Sequence, residues 1–320
     1  MDKQLFVLFV LSCLCWFNAG AQNKDFRVLA TAGGNAKTTS STGVSRELSS
    51  GDVLSLNDQV VLQNDGYVGM VYKNGQTFEL TRAGTYSLLY IYNQMNGQNN
   101  LATKYLNFLW DKTYNSLVES KSDPKVTGSL DIHPIGVNSG KLQILAVDPQ
   151  KLNPVYGDKV VMKWIGGPEK PNTRYVVNVM NLYDQVLISE KVSQPEFSFS
   201  LLDPVLQNDG IISSTKVISF IVFVEGDENT RSWRYGLSTL RGKTAESVDS
   251  EVQFFKDVLS SESALDKLIF ATYFEEKNLY IDAMTTYKSI IQEHPDVEDF
   301  KLLQNAFILR SLPKTSARGL

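Results

Sequence analysis

The stretch ALDKLIFATYFEEKNLYIDAMTTYKSIIQEHP (residues 264–295) decides how the last part of this chain folds. Counting from Ala264, small residues stand at Ala271 and Ala283, aromatic ones at Phe274 and Tyr287, and Pro295 closes the stretch. Two antiparallel helices need this arrangement: the small residues let the axes approach and the aromatic rings fill the gap between them. One such pair cannot bury its face alone, so flanking helices are predicted over Val248–Leu259 and Phe300–Arg310.

Ahead of the helical end, the pattern is β. From Asp25 to Leu89, short apolar runs alternate with turn signals, the mark of a small all-β unit. Phe26–Ala30, Tyr67–Tyr72, Thr77–Leu80 and Thr85–Tyr92 read as strands, and the polar stretch 33–43 reads as a loose loop. Asn74-Gly75 predicts a two-residue hairpin turn with positive φ at both positions. Leu106, Leu109, Trp110, Tyr114 and Leu117 then fall at helical spacing, and residues 121–151 read as a linker with short strands. From Leu152 to Leu240 the strands resume, with Val160–Trp164 placing Trp164 inward and Val217–Val224 as a buried strand. Six or seven strands in this part predict a β-sandwich.

Three resemblances follow. The helical stretch resembles one tetratricopeptide unit, which implies protein binding through the concave face of its first helix; by position that face comprises Leu265, Leu268, Thr272 and Glu275. Asn64-Asp65-Gly66-Tyr67-Val68-Gly69-Met70-Val71, Gly75–Leu80 and Ala83-Gly84-Thr85-Tyr86 resemble the FecR-type β domain, which implies an envelope signalling context. The middle region resembles a fibronectin-III or immunoglobulin-like module in its strand pattern and single inward Trp. The expected architecture is therefore multidomain: mainly β in the N-terminal and middle parts, with a tetratricopeptide-like helical C-terminal region. Its bounds are a leader (1–21), a β unit with a following helix (22–120), the linker (121–151), the sandwich (152–242), the helical region (243–312) and a tail (313–320).

Lys3, the apolar run Leu5–Phe17 and the small residues Ala19-Gly20-Ala21 have the layout of a secretory signal peptide cut after Ala21. The run is shorter than the ~20 residues a bilayer span needs. Both cysteines, Cys13 and Cys15, lie inside it, so the mature chain would carry no disulfide and no thiol chemistry. Export predicts a periplasmic or outer-membrane-associated protein of a Gram-negative cell. The net charge of −4 is scattered, with no Lys/Arg block, which excludes the basic stripe that nucleic acid demands.

The chemical inventory is thin. There are 2 histidines, His133 in the linker and His294 before Pro295, and neither belongs to a Ser-His-Asp arrangement. No Cys/His cluster or Asp-x-Asp loop offers a metal site, and no cofactor is implied. Gly33-Gly34-Asn35-Ala36-Lys37-Thr38 lacks the spacing of a phosphate loop. Glu275-Glu276 reads as a solvated helix end. Tyr86, Tyr90 and Tyr92 would share one face of a strand with Leu88, either burying against the helix that carries Trp110 or forming an aromatic platform for a glycan or a protein. These observations predict a non-enzymatic interaction or scaffold protein with one or more envelope proteins as partners. A periplasmic sensor of FecR-like type and a glycan-binding or glycan-processing protein are the alternatives.

Overall fold

The structure is a computed structural model that describes residues 25–32, 34–95, 104, 105, 108, 141–168, 172–259 and 263–312. The expected leader, His133 and the helical-spacing residues Leu106, Leu109, Trp110, Tyr114 and Leu117 lie outside the described residues. The first two parts are mainly β and the last is helical.

The N-terminal part consists of β1 (Phe26–Thr31), β2 (Ala36–Thr39), β3 (Ser45–Glu47), β4 (Val53–Leu54), β5 (Gln59–Leu62), β6 (Val68–Tyr72), β7 (Thr77–Leu80) and β8 (Gly84–Ser87), followed by α1 (Leu88–Gln94). Two antiparallel four-stranded sheets, β4-β1-β6-β7 and β3-β2-β5-β8, close over Phe26, Val28, Leu54, Val60, Leu62, Val68 and Met70. The polar stretch 33–43 is not a loose loop throughout. It carries β2, whose Ala36 and Thr38 are buried because β2 pairs with β5. The turn at Asn74-Gly75 also differs from expectation: Gly75 alone takes a positive φ, 88°. Its N–H donates to the Tyr72 carbonyl (2.8 Å), and the Asn74 carboxamide accepts the Gln76 N–H (3.0 Å). The side chain thus stabilises a longer loop with one left-handed residue.

The middle part is a two-sheet sandwich that also takes in a short strand from the stretch 121–151, Leu142–Ile144. It holds β9 (Leu142–Ile144), β10 (Leu152–Val155), β11 (Lys159–Gly166), β12 (Tyr175–Met180), β13 (Val186–Val192), β14 (Glu196–Ser200), α2 (Pro204–Gln207), α3 (Gly210–Thr215), β15 (Val217–Val224), β16 (Asp227–Arg231) and β17 (Tyr235–Thr239). One sheet has the order β10-β17-β15-β12-β13, with β16 on β15; the other is β14-β11-β9. Trp164 lies inward at 2% exposure, edge-on to Tyr175 at 5.3 Å. Asp203 and Asp209 each accept a backbone N–H at the start of α2 and α3, which is why two short helices interrupt the strands.

The helical end comprises α4 (Gly242–Val258), α5 (Ala264–Glu276), α6 (Tyr280–Glu293) and α7 (Glu298–Ser311). The quoted stretch forms α5 and α6, and Ser263 caps α5 by accepting the Asp266 N–H. These helices fill the space between the two β parts. Their core joins Leu29, Ala30, Tyr67 and Val71 on one side with Leu145, Ala146 and Val161 on the other.

β6 shows why the sequence permits this. Every residue of the strand is buried. Val68, Met70 and Tyr72 face the N-terminal core, whereas Tyr67 and Val71 face the helices. Gly69 is therefore a close-approach residue and not a turn residue. A Cβ there would lie 2.9 Å from Leu265 Cδ2 and 3.0 Å from the Tyr67 hydroxyl. Gly69→Ala is expected to cost about 1–2 kcal/mol by overpacking, despite the better strand propensity of alanine. A thermal melt tests this, and an unchanged or raised midpoint would remove the close-packing argument.

Candidate functional site

The four residues expected on a concave docking face are buried inside the chain. Leu265, Leu268 and Thr272 are 0% exposed and Glu275 is 8% exposed. Leu265 packs on β6 at Gly69, and the Thr272 hydroxyl donates to the Leu268 carbonyl (2.8 Å). Glu275 is not solvated either. It accepts two hydrogen bonds from Arg310 of α7, Nε to Oε1 at 2.7 Å and a terminal nitrogen to Oε2 at 2.9 Å. The face that would take a partner is covered by the chain's own sheet and last helix.

The tyrosine row is also rearranged. Ser87 ends β8, and its hydroxyl accepts the Tyr90 N–H, starting α1. Tyr86 therefore lies in β8, where its hydroxyl donates to the Arg82 carbonyl (2.7 Å), while Tyr90 and Tyr92 lie on a helix. A cap plus two buried residues three apart, Leu88 and Ile91, overrides the period-two pattern. Tyr92 leans on Tyr72, with ring centroids 5.1 Å apart. Leu89 and Tyr90 are exposed, Tyr90 at 66%. The outcome is a small aromatic patch on α1, separate from Tyr86.

Polar contacts that join the three parts converge on carboxylates. Asp299 accepts the Thr31 N–H and the Ser50 hydroxyl, each at 2.9 Å. Glu79 accepts the Ser263 hydroxyl (2.9 Å) and the Leu265 N–H (2.7 Å), and Asp266 accepts the Thr77 hydroxyl (2.6 Å). On the sandwich side, Asp282 accepts the N–H groups of Tyr156 (3.0 Å) and Gly157 (2.6 Å). Burial pushes the Asp282 carboxyl up to about 6, against the opposing pull of those two N–H groups. Lys163 and Lys288 both reach Glu196, at 3.5 and 2.8 Å. Burial lowers the Lys163 pKa and Lys288 adds to that, while Glu196 opposes it.

These groups are structural in their geometry: each carboxylate accepts at least one hydrogen bond or ion pair from the neighbouring part. His294 lies against Tyr67 (5.0 Å) and Phe300 (5.9 Å), as one ring in an aromatic contact. No group of three or more His, Cys, Asp or Glu residues able to hold a metal occurs among the described residues. A shallow cavity of about 350 Å³ opens at the loop between β11 and β12, and none of its described lining residues is charged. No helix among the described residues is long and apolar enough to cross a membrane.

Sequence reasoning does not single out Tyr105 either. Tyr105 is 2% exposed and sits edge-on to Phe255 of α4 and Tyr273 of α5, both at 5.5 Å. Helical spacing selects its neighbour Leu106, and the partner rings lie far along the chain, so no local signal could have found it. Comparison with protein-family models finds no match, and comparison with curated proteins finds none at a significant level.

Proposed function

We propose that this chain is a non-enzymatic exported envelope protein that acts as an interaction or scaffold component. The observation that carries the reading is the helical layer. Its hydrophobic core and its paired carboxylates tie both β parts together, so that surfaces on the outside are held in fixed relation. The FecR-like, immunoglobulin-like and tetratricopeptide-like assignments belong to the same proposal. The immunoglobulin-like one is supported by strand order, with β9, β11 and β14 in one sheet and β12, β13, β15 and β17 in the other. Export rests on the N-terminal residues 1–21.

Since the inner face of α5 is covered, the proposed contact surface moves to α1, with Leu89, Tyr90 and Tyr92 as its centre. Large, rigid and amphipathic rings are the usual anchors of protein interfaces. The test is retention of envelope components by the tagged full-length chain from a crosslinked envelope fraction, beside the double variant Leu89→Glu/Tyr90→Ala. Both side chains are exposed, so stability should change by less than about 0.5 kcal/mol. The expected result is loss of specific proteins with the variant. Retention of polysaccharide in place of protein would favour the glycan alternative, and unchanged retention would remove α1 from the interface.

A further inference from the structure

The cavity at the end of the sandwich has walls fixed by strands of both sheets. β11 ends in Gly166 and Gly167, whose φ values of 88° and 87° lie in the left-handed region that side chains disfavour. A Cβ at Gly167 would also meet Leu142 Cδ2 at 2.8 Å. The chain therefore leaves β11 as bare main chain, which forms one wall with Pro168. The start of β12 forms a second wall, held in register with Tyr175 opposite Val192 of β13 and Val224 of β15. The turn from β13 to β14 is the third, and its Pro195 carbonyl accepts the Trp164 N–H at 3.1 Å. The Thr173 hydroxyl donates to the Pro168 carbonyl (3.3 Å) and ties the first two walls together. A site set on paired strands in this way is formed before anything enters it.

The polar groups on these walls point to an outside occupant. Tyr175 is 8% exposed, and its ring packs edge-on to Trp164. Its hydroxyl has no hydrogen-bond partner among the described residues, and burial alone raises its pKa. The Asn172 carboxamide and the Ser193 hydroxyl border the same space, also without a partner among the described residues. None of the described lining residues is charged, so an ion would enter without a countercharge. An apolar ligand would bury three polar groups unpaired. A sugar ring avoids both costs: its hydroxyls donate and accept in the way that Tyr, Ser and Asn do, and its C–H face can pack on Pro168 and Pro195. The volume of about 350 Å³ lies at the lower end of the ~300–1,000 Å³ typical of ligand sites, which suits a sugar ring better than a peptide segment.

We propose that this cavity is a binding subsite for a neutral sugar, with the Tyr175 hydroxyl, the Asn172 carboxamide and the Ser193 hydroxyl as its hydrogen-bonding groups. The subsite goes beyond the interaction-protein reading and does not rest on it. Its described lining lies wholly in the sandwich, whereas the aromatic patch of α1 belongs to the N-terminal part. The two surfaces can therefore be tested, and can fail, one without the other.

The experiment titrates the full chain with D-glucose, D-galactose, D-mannose and N-acetyl-D-glucosamine, and reads binding by saturation-transfer NMR. Glucuronic acid and glucosamine serve as charged counterparts. At least one neutral sugar should bind in the millimolar range or below, more tightly than either charged one. Tyr175→Phe keeps the ring on Trp164 and removes only the hydroxyl, so it should weaken that binding about fivefold. Circular dichroism confirms that the variant folds. If it does not, Asn172→Gly decides: it keeps the left-handed backbone, φ 66°, removes the carboxamide and should weaken binding to a similar degree. The methyl glycoside of the bound sugar separates the two sources. Retained binding assigns the end of a glycan chain, lost binding assigns the free sugar, and both keep the subsite. Leu89→Glu/Tyr90→Ala should bind the sugar as the wild type does. No neutral sugar bound, a preference for the charged sugars, or binding that Leu89→Glu/Tyr90→Ala abolishes and the cavity variants leave unchanged overturns the proposal.

Discussion

Replacing Arg310 by alanine is expected to destabilise the helical end by about 3–5 kcal/mol, the usual cost of removing one partner from a buried ion pair. Glu275 has 7% side-chain exposure and its two oxygens are both met by the Arg310 guanidinium. Without that cation the carboxylate stays in a buried site flanked by Tyr287, its charge uncompensated. The pair also ties α7 to α5, so its loss should appear first as faster amide exchange across α5 and α7, then as a lowered thermal midpoint. The control is the double variant Glu275→Leu/Arg310→Met, in which charge and countercharge leave together. Since a buried pair is rarely better than apolar residues of similar volume, the double variant should recover most of the loss. A single-variant cost below about 1 kcal/mol would show that solvent reaches Glu275 and that the pair is dispensable.

The residues that make the fold legible are those whose burial follows from local pattern. Ala271, Phe274, Ala283 and Tyr287 predict α5 and α6 because a helix pair imposes its own spacing, whatever lies outside it. Val217–Val224 and Trp164 are legible for the same reason, as runs that only a core can accept. The site is less legible. Leu265, Leu268 and Thr272 have the pattern of a face that buries against something, and the pattern is the same whether the cover is a partner or the chain's own β6. Glu275 reads as solvated because its countercharge, Arg310, comes from another helix. Tyr86, Leu88, Tyr90 and Tyr92 fit a strand period, but the Ser87 hydroxyl takes the Tyr90 N–H, and packing settles two local preferences of similar size. β9 is one of the short strands expected within 121–151, and what three residues cannot reveal is their pairing with β11 in the sandwich. Non-local contacts decide the face of α5 and the state of Glu275, whereas a local cap decides the tyrosine row.

Between about pH 4 and pH 6 the contribution of Asp282 to stability should fall as pH rises. Its carboxyl is pushed from an ordinary value of 3.8 up to about 6, chiefly by burial at the joint between α6 and the sandwich. A raised folded-state value means that the folded chain holds a proton that the unfolded chain has released in this window. Stability is therefore highest below about pH 4 for this group and falls through pH 6. Each tenfold change in proton affinity corresponds to about 1.4 kcal/mol, so the difference amounts to about 3 kcal/mol. Asp209, Glu225 and Glu293 are displaced downward, so their contributions grow with pH in the lower part of this window and oppose the fall, which only the comparison with Asp282→Asn isolates. Asp282→Asn should flatten the wild-type slope between pH 4 and pH 6. It should also cost stability at pH 4, because the amide nitrogen would face one of the two N–H groups of Tyr156 and Gly157 that the carboxyl now accepts. Urea midpoints at pH 4, 5, 6 and 7 for both chains measure it. Parallel curves would mean that water enters the joint and that α6 is held to the sandwich by packing alone. A slope lost only in the variant assigns the joint's pH response to this one carboxyl.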